Sequence, residues 1–159
     1  MPRYKEGIYF NREDGMPEPV SADIRRRVNF SDADPMGIVW FGRYPRYFEE
    51  GSAELGRVCG LSYGDFYEAG LRAPVVKCHI DYFSPLYIDE SFTIRARLIW
   101  NESSRLDTEY LHLKDDGSLA SSGYTIQMLT DVKGEICLVS PPLLVKCRER
   151  WKRGEFHGR

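Results

Sequence analysis

Long apolar runs are absent from this chain: nowhere do about 18 apolar residues follow one another, as a membrane-spanning helix would require. Charged residues between Arg3 and Asp14 interrupt the N-terminal segment, so it lacks the apolar centre of a signal peptide. The formal net charge of −2 over 159 residues gives no reason to expect nucleic acid or a membrane surface as a partner. We therefore expect a cytoplasmic protein that binds neither.

Cysteine and histidine are both scarce, and their spacing excludes several kinds of site. The four cysteines form no C-x-x-C pair and have no histidines at zinc-ligand spacing; they are Cys59, Cys78, Cys137 and Cys147. We predict free thiols and no metal site, the alternative being a disulfide framework of the kind found in short secreted chains. There is no Gly-x-Ser-x-Gly motif, and we expect His79, His112 and His157 to be structural, which disfavours a Ser-His-Asp hydrolase.

The length and the 42% apolar content suit one globular domain with a real core. Prolines, glycines and mixed charges over residues 1–19 predict an irregular N-terminal arm, in which residues 8–10 could form a short edge strand or pack on a neighbour. We assign residues 20–151 to the domain and residues 152–159 to a C-terminal tail. The domain ends in a short amphipathic helix over residues 143–151.

One long helix is predicted over residues 44–59. Its apolar face contains Tyr44, Tyr47, Phe48, Gly51, Ser52, Leu55 and Val58. Pro45 suits a first helical turn and Gly60 suits a C-terminal stop. Gly51 within this face costs about 1 kcal/mol relative to alanine, so we expect another element to approach the helix closely there.

Elsewhere the apolar pattern has a period of two, which is typical of strands with one buried face. The predicted strands are residues 20–30, 76–82, 92–100, 106–113, 120–129 and 135–139. Turn sequences at 115–117 and 132–134 separate the last three. One strand, one long helix and then four or five antiparallel strands predict an α+β fold, in which a curved antiparallel sheet wraps around the helix.

The segment before the long helix reads DADPMGIVWF and carries the clearest chemical signal. Asp34 precedes Pro35, which keeps Asp34 extended, and Pro35 and Gly37 are typical of a tight turn. A carboxylate would then lie beside a helix N-terminus, where free N–H groups can stabilise negative charge. The alternative is that Asp32 or Asp34 only closes an Asx-turn.

Followed by Tyr44, Arg46 and Ser52, this segment closely resembles the signature of the 4-hydroxybenzoyl-CoA thioesterase branch of the hotdog-fold acyl-CoA thioesterases. The resemblance covers about residues 24–144 and implies the hotdog fold. It implies that Asp34 is the catalytic carboxylate and that the backbone N–H of Phe41 polarises the thioester carbonyl. We predict that Gly37, Ile38, Trp40 and Tyr44 contact the substrate, and that Asp32 mainly shapes the turn.

The expected reaction is hydrolysis of an aryl (4-hydroxybenzoyl-CoA-like) or short-chain acyl-CoA, with Asp34 as nucleophile or general base and no cofactor beyond the coenzyme A of the substrate. A thiol leaves easily, because its ordinary pKa is about 8.5, so a dedicated general acid is less necessary. The alternative is a hotdog module that binds acyl-CoA without turnover. Unpaired sheet edges, and the resemblance, imply a homodimer or homotetramer.

Overall fold

The computed structural model describes residues 9–157. In chain order its elements are β1 (Val20–Arg27), α1 (Tyr44–Cys59), α2 (Tyr63–Glu68), β2 (Leu71–Arg72), β3 (Val75–Tyr82), β4 (Ser91–Ile99), β5 (Arg105–Lys114), β6 (Leu119–Met128), β7 (Thr130–Asp131) and α3 (Pro142–Lys152). Two short 3-10 helices, Phe30–Asp32 and Phe41–Arg43, lie between β1 and α1. The predicted order, one strand and one long helix followed by further strands, is confirmed.

Five strands form one antiparallel sheet in the order β1-β4-β5-β6-β3, while β2 and β7 pair separately. The hairpin between β5 and β6 closes at the predicted turn, where Gly117 has a φ of +83°. The period-two pattern of β4 holds, because Phe92, Ile94, Ala96 and Leu98 are all buried. The sheet therefore presents one continuous apolar face to the rest of the chain.

Helix α1 packs on that face against β1, β4 and β5. Its bounds are those predicted, and Gly60 ends it in the left-handed conformation with a φ of +75°. A methyl group at Gly51 would lie 3.0 Å from Ile94 Cγ2 and 3.3 Å from Ala96 Cβ. The close approach predicted at Gly51 is confirmed, since a larger residue would push the helix away from β4.

Two apolar clusters fill the space between α1 and the sheet. One surrounds the N-terminal half of α1 and includes Tyr47 and Phe92, and the other surrounds its C-terminal half and includes Leu55 and Trp151. Within the second cluster the ring of Phe48 stacks on that of Tyr110, with 4.2 Å between centroids and 7° between planes.

Residues 135–139 do not form the predicted strand. After the turn at 132–134 a single bridge within the described chain, Thr130 with Ile136, continues the pairing. Leu138 is 93% exposed and Val139 is 80% exposed, because the segment leaves the sheet before it can place an apolar face on the core. The pairing that does form there is the two-residue match of β7 with β2.

Strand β3 was predicted to be half-buried, but it lies at the sheet edge and is largely exposed. Val75, Val76 and Tyr82 are 54%, 58% and 49% exposed. Its neighbour is β6 on one side, and the structure describes no strand on the other. Residues 9–157 therefore leave this strand largely exposed.

Both ends of the described chain pack on the domain. The N–H of Tyr9 donates to Glu109 Oε1 at 2.7 Å, and its hydroxyl donates to Asp81 Oδ2 at 2.8 Å. A short strand was considered for residues 8–10. Residue 8 lies outside the described residues, and Tyr9 and Phe10 do not form a strand. At the other end, α3 forms as predicted, and Phe156 beyond it is 3% exposed.

Candidate active site

Asp34 begins a tight hairpin loop. Its N–H donates to the carbonyl of Ile38 at 2.8 Å, and the N–H of Gly37 donates to the carbonyl of Asp34 at 3.0 Å. Gly37 has a φ of +80°, so Pro35, Met36 and Gly37 form a three-residue loop that needs glycine in its last position. The loop is anchored to residues 86–88, because Val39 donates to Leu86 O at 2.8 Å and Ile88 donates to Gly37 O at 3.1 Å.

The side chain of Asp34 is held within this loop and is half-buried. Its Oδ1 accepts the N–H of Met36 at 2.8 Å, so the Asx-turn considered from the sequence does form. In the described part of the chain its Oδ2 accepts no hydrogen bond and Asp34 has no ion-pair partner. The turn therefore orients the carboxylate and leaves one of its oxygens available.

The backbone at the entrance to α1 offers unused donors. The N–H of Trp40 donates to Asp32 O at 2.9 Å, and that of Arg43 donates to Trp40 O at 2.8 Å. Between them, the N–H groups of Phe41 and Gly42 have no backbone acceptor within residues 9–157. The 3-10 turn Phe41–Arg43 leads directly into α1, so these donors lie at the positive end of a 16-residue helix.

Trp40 and Phe41 form an aromatic surface over this entrance. They are 49% and 68% exposed, and their ring centroids are 5.5 Å apart. A methyl group at Gly42 would lie 2.5 Å from the Trp40 ring, so the indole can cover this part of the backbone only because residue 42 is glycine. Tyr82 donates from its hydroxyl to Phe41 O at 2.8 Å, which fixes the turn from the side of β3.

Tyr44, predicted to contact the substrate, lies deeper than Trp40 and Phe41. It is 3% exposed, with its ring 5.0 Å from that of Tyr82 and 5.6 Å from that of His112. Burial raises the pKa of Tyr44 to about 12. Its hydroxyl is therefore neutral at physiological pH and can act only as a neutral hydrogen-bonding group or an apolar wall.

Asp32 has more partners than a turn requires. It is 3% exposed, and its Oδ2 accepts the hydroxyl of Tyr47 at 3.0 Å. Arg43 Nε lies 3.4 Å from its Oδ1, and Arg26 Nη2 lies 3.5 Å from its Oδ2. Burial, followed by the charge of Asp32, raises the pKa of the Tyr47 hydroxyl. Through Arg26, Arg43 and Tyr47, Asp32 thus connects β1, the 3-10 turn Phe41–Arg43 and α1.

The roles of Arg26 and Arg43 were missed from the sequence. Three arginines, Arg25 to Arg27, follow one another in β1, and Arg25 and Arg27 lie on its exposed face. Arg26 is an even number of residues from Val20 and Ala22, whose side chains face inward. The period-two pattern therefore predicts that Arg26 faces inward as well. Its guanidinium lies between Asp32 and Glu50, 3.1 Å from the latter.

The histidines lie in structural environments. His112 is fully buried, with Nδ1 2.6 Å from Ser121 Oγ, and burial lowers its pKa to about 3. His79 lies 2.9 Å from Asp81 at the arm contact. Within residues 9–157 neither histidine forms a hydrogen bond or ion pair with Asp34, and no group of three or more potential metal ligands is present.

The curved antiparallel sheet around one long helix is the hotdog fold, which thioester hydrolases use. The chain belongs to the thioesterase-like superfamily, whose profile matches residues 28–146. The predicted fold, the predicted resemblance and the assignment to an enzyme class are thereby confirmed at the level of the family. No helix in the described part of the chain is both long and apolar enough to cross a membrane.

Three known proteins illustrate the similarity. A putative esterase of Aquifex aeolicus is 32% identical over 62% of this chain and 77% of its own length. The 4-hydroxybenzoyl-CoA thioesterase of Pseudomonas sp. is 32% identical over 48% of this chain, which spans only 56% of that protein. The structure of a 1,4-dihydroxy-2-naphthoyl-CoA thioesterase from Synechocystis superposes with a TM-score of 0.71 at 17% identity, covering 80% of this chain and 94% of that one.

Proposed function

We propose that this protein hydrolyses acyl-CoA thioesters, with Asp34 as the catalytic carboxylate and the N–H of Phe41 as the donor to the thioester oxygen. The observation that carries the proposal is the combination of a carboxylate held by its own turn, with one oxygen available, and unused N–H groups at the start of α1. The match of the family profile across this segment supports it. Asp34 and the helix entrance supply the two functions that acyl transfer needs, attack and oxyanion stabilisation.

Two routes are chemically complete. In the first, an Asp34 oxygen attacks the thioester carbon and expels the coenzyme A thiolate, and water then hydrolyses the mixed anhydride. In the second, Asp34 takes a proton from water as that water attacks, and the proton later reaches the thiolate. In either route negative charge develops on the thioester oxygen, which the N–H of Phe41 would stabilise. Mass spectrometry of enzyme in excess over substrate distinguishes them, because only the first forms an acylated protein.

The substrate we favour is an aryl acyl-CoA. The exposed rings of Trp40 and Phe41 offer a surface on which an aromatic acyl group can stack. Two of the similar proteins are named for aryl-CoA substrates. A short aliphatic acyl-CoA would gain less from the same surface, so kcat/KM for benzoyl-CoA should exceed that for butyryl-CoA.

A thiol-release assay with these two substrates tests the proposal directly. Turnover of benzoyl-CoA that is lost in Asp34→Asn supports it. Binding of benzoyl-CoA without any thiol release would favour the second candidate, a non-catalytic acyl-CoA-binding module. The available Asp34 oxygen argues for the enzyme, because a module that only binds has no need of it.

We also propose that the protein is a homodimer or homotetramer. Within residues 9–157 no strand pairs with the outer edge of β3, and Val75, Val76 and Tyr82 on it are exposed. Tyr82 contacts the candidate site through Phe41, so a second copy on this edge would lie beside the site. Light scattering at micromolar concentration should give at least twice the 18.4 kDa chain mass. A monomer would contradict this proposal.

A further inference from the structure

The carbonyl of Phe41 cannot have the partner that an α-helix would give it. That partner is the N–H four residues later, but the residue there is Pro45, which has no N–H. The hydroxyl of Tyr82, the last residue of β3, supplies a donor from outside the helix at 2.8 Å. Burial raises the pKa of Tyr82, so this hydroxyl is protonated at neutral pH and can donate. A side chain of β3 therefore takes part in the hydrogen bonding of the turn that leads into α1.

Hydrogen bonds hold both of the peptide groups that flank the α-carbon of Phe41. The first group contains the N–H of Phe41, and its carbonyl, Trp40 O, accepts the N–H of Arg43 at 2.8 Å. The second group contains the N–H of Gly42, and its carbonyl is the one that Tyr82 holds. A planar trans peptide points its C=O and its N–H in opposite directions, so a hydrogen bond to the carbonyl also sets the direction of the N–H. Without the Tyr82 hydroxyl, the second group could rotate and disturb the backbone angles of Phe41.

The position of Tyr82 is itself well fixed. Its ring lies 5.0 Å from the buried ring of Tyr44, with 85° between the planes. The two residues that follow it, Phe83 and Ser84, donate their N–H groups to Ala120 O at 2.9 Å and 3.0 Å. The hydroxyl therefore belongs to the rigid sheet and gives the turn a fixed point.

The segment 82–88 holds both halves of the candidate site. The backbone of residues 86–88 anchors the hairpin that carries Asp34. Tyr82, at the start of the same segment, holds the turn that carries the Phe41 N–H. Acyl transfer needs the attacking group and the oxyanion donor at a set separation, and one stretch of chain provides it for both.

We propose that Tyr82 is a positioning residue for thioester hydrolysis, whose hydroxyl keeps the N–H of Phe41 in the orientation that polarises the thioester carbonyl. This role rests on the proposed function and extends it to a residue of β3. Removal of an oxyanion donor costs about 100- to 1,000-fold in kcat. Tyr82→Phe leaves the donor in place and only frees it to move, so we expect a smaller loss of ~10-fold in kcat, with KM changed less than ~2-fold.

Steady-state kinetics with benzoyl-CoA on the parent and Tyr82→Phe measure this split between kcat and KM. The Tm of Tyr82→Phe should fall by less than about 4 °C, because the ring is kept and water can reach the freed carbonyl of exposed Phe41. Tyr124→Phe is the matched control. It removes a hydroxyl from β6, where the ring stacks on His79, and should change neither kcat nor KM.

A spectroscopic measurement separates positioning from a merely structural role. The infrared C=O stretch of benzoyl-CoA bound to Asp34→Asn reports how strongly the thioester carbonyl is polarised, because this variant binds the substrate and does not turn it over. The stretch should lie at lower wavenumber than in free benzoyl-CoA. Adding Tyr82→Phe to Asp34→Asn should remove at least half of that shift, whereas a structural role would leave it unchanged.

The outcomes distinguish this role from the proposed function. A folded Tyr82→Phe enzyme with kcat within about twofold of the parent would overturn the role of Tyr82 and leave the proposed function standing. A carbonyl shift that Tyr82→Phe does not alter would overturn it as well. A parent that binds benzoyl-CoA and releases no thiol would instead contradict the proposed function, and the role of Tyr82 with it.

Discussion

Replacing Asp34 and Asp32 by asparagine should separate catalysis from stability at two neighbouring carboxylates. The Asn side chain at residue 34 can still accept the Met36 N–H through its amide oxygen, and no ion pair is lost. We therefore expect Asp34→Asn to change the free energy of unfolding by less than about 0.5 kcal/mol. It should lower kcat at least ~1,000-fold, because an amide is neither a nucleophile nor a base, while acyl-CoA binding is largely retained.

Asp32→Asn should show the opposite pattern. The carboxylate is 3% exposed, and its charge lies within 3.5 Å of Arg26 and Arg43. Breaking a fully buried pair costs about 3–5 kcal/mol, but these arginine side chains are 24% and 32% exposed, so water compensates part of the loss. We expect about 2–3 kcal/mol, which lowers the Tm by about 5–10 °C. The effect on kcat should be the milder of the two.

Thermal melts and thiol release from benzoyl-CoA, measured on both purified variants, provide the comparison. Asp89→Asn serves as the control, since Asp89 is an exposed carboxylate paired with Arg27 and should affect neither quantity. An Asp34→Asn enzyme within about tenfold of the parent would remove Asp34 from its assigned role. An Asp32→Asn protein that melts like the parent would refute the argument from the arginine contacts.

Three further outcomes follow from the geometry. Phe41→Ala should reduce discrimination between aryl and alkyl substrates by about 1–3 kcal/mol, measured as a ratio of kcat/KM values, whereas His79→Ala should leave turnover nearly intact; the reverse ranking would point to another pocket. Because burial lowers the pKa of His112 to about 3, the unfolded chain takes up a proton there below about pH 6.5 and the folded chain does not, so stability falls as the pH falls. Urea unfolding at about pH 7 and pH 5 should show the parent losing about 2 kcal/mol more than His112→Asn, and equal losses would contradict the assignment. Gly42→Ala should displace the Trp40 ring and change tryptophan emission with little change in Tm, and an unchanged spectrum would contradict the contact.

The long helix was predictable because its signals are local. A proline in the first turn and a glycine after the last turn set its ends, and the Gly51 position followed from its place in an apolar face. The hairpin at Asp34 was predictable for the same reason, since a proline and a left-handed glycine nearly determine such a loop.

The misjudged features depend on distant partners. The short apolar run at 136–139 looks like a strand, but a strand also needs an edge to pair with, and within residues 9–157 a single bridge forms there. The exposure of β3 and the ion pairs of Arg26 are likewise set by which strands become neighbours. A period of two identifies a face and does not identify what covers it.

The N-terminal arm has a consequence for shortening this chain. Glu109 is 2% exposed on the outer side of the sheet, and its Oε1 accepts both the N–H of Tyr9 at 2.7 Å and that of Phe10 at 3.1 Å. The other oxygen faces Arg97 at 2.9 Å. A truncation that starts after Phe10 would remove two of the donors to this carboxylate and open the pair to water. Tyr9 and Phe10 thus belong to the hydrogen-bonding network on that face of the sheet, and removing them would alter its hydration and charge while leaving the helix and its entrance in place.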